Sequence, residues 1–176
     1  MACVISLILA PAIMERNKAA RKISMLIGVI SDTHGLLRPQ VLDAMSGVNH
    51  ILHAGDVGNA DILDRLRTIA PVTAIRGNVD LHGPCADLPA TEAIELDGCF
   101  LYMLHAIEDL DLNPRAAKID VVIYGHSHKP SAVRRDDVLY LNPGSAGPRR
   151  FSLPVTLSLL HLEAGRATPE LIEIAV

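Results

Sequence analysis

Residues 25–35, MLIGVISDTHG, constrain this chain more than any other stretch. Leu26, Ile27, Val29 and Ile30 make a short β-branched apolar run that stops at Ser31, and Asp32, Thr33, His34 and Gly35 follow at once. An uninterrupted apolar run of this length predicts a strand buried on both faces, as in a parallel sheet covered by helices. Side chains alternate along an extended chain, so Asp32 and His34 are expected to point the same way just past the strand. A hard oxygen ligand and an imidazole nitrogen would then stand together at the carboxyl edge of a sheet, where open α/β folds bind ligands. Alone, the pair reads more simply as a capping aspartate and a surface histidine. The rest of the chain decides.

From Arg38 the chain alternates regularly. Residues 39–45 (PQVLDAM) open with proline at a permitted first-turn position and predict a helix. Residues 49–54 (NHILHA) predict a strand ended by Gly55-Asp56. Residues 61–69 (DILDRLRTI) put Ile62, Leu63, Leu66 and Ile69 on one helical face, with Asn59 or Asp61 as cap. Residues 71–76 (PVTAIR) predict a third strand, ended by Gly77-Asn78. Strand-helix-strand-helix-strand at this spacing predicts right-handed βαβ units and a largely parallel sheet, hence an α/β fold.

The second half changes style. Residues 93–96 and 100–104 predict a hairpin around Asp97-Gly98, closed by His105. Asn113-Pro114 leads into an expected short helix, and residues 120–124 (DVVIY) predict another buried strand, followed by Gly125-His126-Ser127-His128. Residues 132–135 and 138–141 predict a hairpin around Asp136-Asp137, ended by Asn142-Pro143-Gly144-Ser145. Residues 155–162 and 167–174, joined at Gly165, predict the last pair. No internal repeat or linker divides residues 25–176, which read as a single domain.

Residues 1–24 fit that domain poorly. Residues 4–14 (VISLILAPAIM) are too short to span a bilayer, and Arg16, Lys18, Arg21 and Lys22 follow the apolar run, whereas a secretory signal needs them before it. They are read as an N-terminal extension, either a non-native start or a short appended helix. A chain of 176 residues that is 49% hydrophobic buries a sizeable core, which aromatics at 3% leave aliphatic. A formal charge of −4 gives no sign of a nucleic-acid groove or an anionic membrane partner. Cys3, Cys85 and Cys99 are unpatterned, which points to a reducing, cytoplasmic setting and not to a disulfide framework.

The chemistry lies in what ends the strands. Asp32 and His34 end the first, Asp56 the second, Asn78 the third, His105 the fifth, and His126 with His128 the sixth. If these strands share a sheet, seven oxygen and nitrogen donors converge on one edge, most of them announced by a glycine that permits close backbone approach. One ion takes four to six ligands; two ions about 3.5–4 Å apart with a shared carboxylate use all seven. The absence of a cysteine ligand favours a harder, mixed O/N site for manganese, iron, zinc or magnesium.

DxH, GD, GN, H and GHxH, in this order, resemble the calcineurin-like metallophosphoesterases. The short chain and the NPGS after GHSH are similar to their small bacterial and archaeal phosphodiesterase branch. The resemblance implies a four-layer α/β/β/α sandwich, two mixed sheets packed face to face with helices outside. It also implies roles: Asp32, His34 and His128 on a first ion, Asn78, His105 and His126 on a second, Asp56 bridging. Asp56, Asn78 and His105 are expected to serve in catalysis as well. The implied reaction is hydrolysis of a small phosphate ester, foremost a phosphodiester, by a metal-bridging hydroxide. Two divalent cations are the implied cofactor, Mn²⁺ first, with Fe, Zn, Ni or Mg as alternatives.

One departure matters. The branch often has His-Gly-His where this chain has His105-Ala106-Ile107, so the ligand survives while an imidazole that could orient substrate or protonate a leaving group is missing. Gly77-Asn78-Val79-Asp80 likewise lacks a histidine after the asparagine and leaves Asp80 as a distant proton donor. Both departures favour substrates with good leaving groups. His50 and His53 lie beside the second strand, His53 reading as a packing or supporting histidine, and His82 and His161 read as structural or solvated. Asp61, Asp64 and Arg65 read as an exposed helix face. Asn142 to Ser145 read equally as a turn, and Arg149-Arg150 as solvated or as a phosphate clamp. The rival to an enzyme is a protein-binding scaffold on the same fold, as in the eukaryotic retromer subunit. A nuclease would need a basic or aromatic strand-binding surface that the composition does not supply. A homo-oligomer is compatible with the sequence.

Overall fold

The computed structural model describes residues 24–176, so the expected extension lies, apart from Ser24, outside the described residues. The first strand, β1 (Ser24–Ile30), is followed by α1 (Pro39–Ala44), β2 (His50–His53), α2 (Asp61–Arg67) and β3 (Val72–Ala74). β1 pairs in parallel with β2, and β2 with β3, so the predicted βαβ units form. Then come β4 (Thr91–Leu96), β5 (Cys99–Leu104), β6 (Val121–Ile123), β7 (Ser131–Arg135), β8 (Val138–Asn142), β9 (Thr156–Glu163) and β10 (Arg166–Glu173). Among the described residues these strands sort into two five-stranded sheets, ordered β10-β9-β1-β2-β3 and β4-β5-β6-β8-β7. Both are mixed: β9 lies antiparallel to β1, β4 to β5 and β7 to β8, while β5, β6 and β8 run parallel.

Period-two alternation explains why two sheets pack rather than one. Ile27 and Val29 of β1 face inward with Leu52, and meet Cys99, Leu101 and Met103 of β5, Val121 and Ile123 of β6, and Leu139 and Leu141 of β8. The other face of β1 carries Leu26 and Ile30 against α1 and α2, through Val41, Met45, Ile62, Leu63 and Leu66. β1 is thus buried on both faces, as its apolar run predicts. Gly28 lies on the helix side, where a Cβ would stand 3.4 Å from the Met45 thioether. The second sheet turns Leu104, Val122 and Val138 outward under Tyr102, Ile107, Leu110 and Ile119. That fourth layer is thin. A one-turn 3₁₀ segment, Ile107–Asp109, covers it together with turns, and the helix expected after Asn113-Pro114 is reduced to a turn closed by Ala117 N–H on the Asn113 carbonyl (3.0 Å).

A fully buried histidine ends β2. The His53 Nε2 stands 2.9 Å from Thr33 Oγ1, and that hydroxyl donates to the Val57 carbonyl (3.0 Å). The hydroxyl has one proton, so His53 donates Nε2–H to it and is neutral, with Nδ1 buried and unpartnered. Burial lowers its pKa to about 4, against the opposing pull of Asp32 and Asp80. It therefore supports the DTH loop from below and does not serve as a ligand, as read from the sequence.

Two outcomes follow from this packing. Leu101, 1% exposed between the sheets, cannot be truncated without leaving a cavity; Leu101→Ala should cost about 2–5 kcal/mol in denaturant unfolding, and a cost under 1 kcal/mol would show that the sheets are not closely packed there. Unfolded His53 takes up a proton below about pH 6.5, whereas the folded imidazole resists until about pH 4. Folded-state stability is therefore complete above pH 6.5 and falls through that window. Its contribution should drop by about 2 kcal/mol between pH 7 and pH 5, and His53→Gln should remove that part of the slope in chemical denaturation of the metal-free protein. An unchanged slope would contradict the buried neutral imidazole.

Candidate metal centre

All seven predicted donors meet at one place, but not on one sheet edge. Asp32 and His34 follow β1, Asp56 follows β2 and Asn78 follows β3 in the first sheet, whereas His105 follows β5 and His126 and His128 follow β6 in the second. The parallel strands of the two stacked sheets end on the same side, so the loops face one another across the seam. The Asn142–Ser145 turn after β8 reaches that side too, and ties the loops together. Asn142 Nδ2 donates to the Gly125 carbonyl (2.7 Å), Ser145 Oγ to the Asp32 carbonyl (3.0 Å), and Ala146 N–H to the Ser31 carbonyl (3.0 Å).

Asp32 and His34 do not owe their proximity to an extended chain. Asp32 (φ 56°), His34 (φ 45°), Asp56 (φ 55°), His126 (φ 65°) and His128 (φ 58°) all sit in the left-handed region. Aspartate and histidine enter it more readily than most side chains, yet the clustering of strained residues at one site marks function. Gly77 and Gly125 are required by close approach: a Cβ on Gly77 would overlap the Asp56 carboxylate, and one on Gly125 would overlap Ser31 Oγ.

The donors form two groups. Asp32 Oδ1 lies 3.2 Å from His128 Nε2 and 3.8 Å from His34 Nε2, and the two imidazole nitrogens are 3.3 Å apart. Asn78 Oδ1 lies 3.2 Å from His105 Nε2 and 3.0 Å from His126 Nδ1. Asp56 Oδ2 stands between the groups, 3.3 Å from His105 Nε2 and 3.8 Å from His34 Nε2. Asp32 also shares a 4.8 Å cluster with Asp56 and His105, so both carboxylates lie between the groups. Asn78 and His126 are exposed and form the open side, whereas Asp32 is fully buried.

Hydrogen bonds aim these atoms at each other. Asp32 Oδ2 accepts the His126 N–H (3.1 Å), leaving Oδ1 buried with no hydrogen-bond partner. Asp56 Oδ1 accepts the Val79 N–H (3.0 Å). His105 donates Nδ1–H to the Ala54 carbonyl (2.7 Å), which turns the Nε2 lone pair toward Asp56 and Asn78. Supporting bonds of this kind fix ligand tautomer and direction at metal sites. Burial opposes charge on His105 most, but Asp56, the Ala54 carbonyl and Asp32 outweigh it and raise its pKa. Burial lowers the pKa of His34, despite Asp56 and Asp32, with Arg150 and His128 adding to the fall. Burial pushes Asp56 upward, but His105, which in its protonated form donates Nε2–H to the carboxylate, and the Val79 N–H prevail and lower it. Carboxylate, amide-oxygen and imidazole-nitrogen atoms converge here, with Asp32 Oδ1 buried and unpartnered among them, and this O/N set fits a hard or borderline divalent metal.

Asp80 carries a role the sequence does not reveal, and Arg150 lies where the sequence left solvation and a phosphate clamp both open. Asp80 is buried, and its carboxylate accepts N–H bonds from Val57 (3.0 Å), Gly77 (2.9 Å) and Gly58 (2.8 Å). It clamps the GD loop to the GN loop and presents nothing to a leaving group, which corrects its reading as a proton donor; the short polar loop around it gives no signal of this. Arg150 Nη2 lies 3.4 Å from His34 Nε2, so of the two adjacent arginines one reaches the site. Other candidates stay apart. His50 meets Thr73 Oγ1 (2.9 Å), His161 pairs with Glu170 (3.3 Å), Asp64 with Arg67 (2.7 Å), and His82 is exposed.

Among the described residues no helix is long and apolar enough to cross a membrane. A "probable metallophosphoesterase" of Methanothermobacter thermautotrophicus is 34% identical over 164 residues, 84% of this chain and 92% of that protein. The phosphodiesterase YfcE of Escherichia coli K12 is 31% identical over 155 residues, 74% of this chain and 84% of its own length. The crystal structure of wild-type Vps29 from Entamoeba histolytica complexed with Zn²⁺ is similar with a TM-score of 0.64 and 25% identity, covering 85% of this chain and 99% of that one. The family model for the calcineurin-like phosphoesterase superfamily domain matches residues 25–165, and the chain belongs to that superfamily.

Proposed function

We propose that this chain is a phosphodiesterase that uses two divalent cations, Mn²⁺ first among them, on a small phosphate-ester substrate. The observation that carries the reading is the seven-donor cluster, in which Asp56 Oδ2 stands between His34 Nε2 (3.8 Å) and His105 Nε2 (3.3 Å). Asp32, His34 and His128 would hold one ion, Asn78, His105 and His126 the other, and Asp56 both. Bound there, such ions lower the pKa of water and neutralise charge on phosphoryl oxygens. The name of the E. coli relative supports a diester substrate.

The chain's own residues set the rest. The exposed Asn78 and His126 leave one side open to an incoming phosphate. A cleft of about 560 Å³ adjoins them, lined by Arg76, Leu104, His105 and Ala106, and is suited to the leaving alcohol. Ala106 offers it only a methyl group, and Asp80 is committed to three backbone N–H groups, so neither protonates the alkoxide. Good leaving groups are therefore preferred. A scaffold on this fold, as the likeness to Vps29 would allow, has no need of a complete and strained donor set, and that set favours the enzyme.

Elemental analysis after loading with Mn²⁺ should give two equivalents per chain, with turnover of bis(p-nitrophenyl) phosphate exceeding that of p-nitrophenyl phosphate. Asp56→Ala should lose the paired ions and reduce turnover at least about a hundredfold. Stoichiometry that stays at one with excess metal, or an Asp56→Ala protein that keeps both ions and its activity, would contradict the proposal.

A further inference from the structure

Arg150 is carried to the metal centre by a segment with little freedom. Gly147 lies against the carbonyls of Asp32 and Thr33, where a Cβ would overlap both, and its own carbonyl accepts from Arg38 Nη2 (3.4 Å). Pro148 follows, and the Leu153 N–H closes a turn on the Arg150 carbonyl (3.1 Å). This path leaves the Arg150 guanidinium 3.4 Å from His34 Nε2, at the exposed side of the donor cluster. Among the described residues no carboxylate pairs with it, and its contact is with the His34 imidazole.

A guanidinium held beside two cations is repelled by them unless an anion lies between. Arginine is suited to that anion when it is a phosphoryl group, because its planar fork matches two oxygens and its charge does not titrate. On the other flank, residues 106 and 107 are Ala and Ile and supply no polar side chain. We propose that Arg150 is a substrate-positioning residue that binds a non-bridging phosphoryl oxygen and holds the ester against the metal pair. The inference rests on the phosphoesterase reading above and adds a specificity element to it: recognition of the phosphoryl group from the NPGSAGPRR segment (residues 142–150) rather than from the metals alone.

Inorganic phosphate, titrated calorimetrically into Mn²⁺-loaded protein, tests it without requiring turnover. Arg150→Ala should weaken phosphate binding about 10- to 100-fold, with metal content unchanged, and Arg150→Lys should recover part of it. For bis(p-nitrophenyl) phosphate, KM should rise more than kcat falls. The adjacent Arg149→Ala should change neither. A wild-type protein that turns over the diester yet binds phosphate no more tightly than Arg150→Ala overturns this inference alone. Loss of metal in Arg150→Ala also overturns it, since the arginine would then be supporting His34. A wild-type protein that neither binds phosphate nor cleaves any ester overturns the phosphoesterase reading with it.

Discussion

Electrostatic repulsion within the donor cluster is the constraint around which this molecule is built. Asp32 and Asp56 hold carboxylate oxygens within 4.8 Å of each other in the same cluster as His105. At an effective dielectric of about 20, two such charges alone repel by about 3–4 kcal/mol, a repulsion that His105 offsets in the metal-free protein by holding the Asp56 carboxyl low. Five left-handed aspartates and histidines add about 1 kcal/mol each. These costs are sustained because the loops grow directly from strands buried on both sides, and they are relieved when cations occupy the site. Metal binding in such a protein is also stabilisation.

What holds the loops is a set of backbone bonds made by short polar side chains. Asp80 joins the GD and GN loops; Asn142 and Ser145 join the loops of the second sheet to those of the first. Thr33 and His53 brace the DTH loop from the core. None of these groups faces the open side, and their common effect is to make ligand positions a property of the two-sheet core. The sheets must be registered against each other for the two groups of donors to meet, so packing of Leu101, Met103 and Ile123 against Ile27 and Val29 bears on the metal site directly.

Much of this was legible in the residues because buried strands and their terminating glycines are strong local signals. The strands that carry Asp32, Asp56, Asn78, His105, His126 and His128 all lie where apolar runs predict them. Periodicity reports which face of a strand is buried but not which strands pair, so one shared edge could not be told from two apposed ones. The pairing of Asp32 with His34 was anticipated on an extended backbone that the loop does not adopt; the αL turns bring them together instead. Asp80 was illegible for a plainer reason. An aspartate in a short polar loop looks the same in sequence whether water or three backbone amides solvate it. Arg150 is half legible: the sequence reads the Arg149-Arg150 pair as solvated or as a phosphate clamp, and an exposed pair gives no sign of which one meets His34.

Anomalous diffraction from Mn²⁺-loaded crystals tests the central claim most directly. The account predicts two peaks, one within reach of Asp32, His34 and His128, the other of Asn78, His105 and His126, with Asp56 Oδ2 touching both. A single peak at saturating metal, or two peaks of which one lacks His105 and His126, would contradict it.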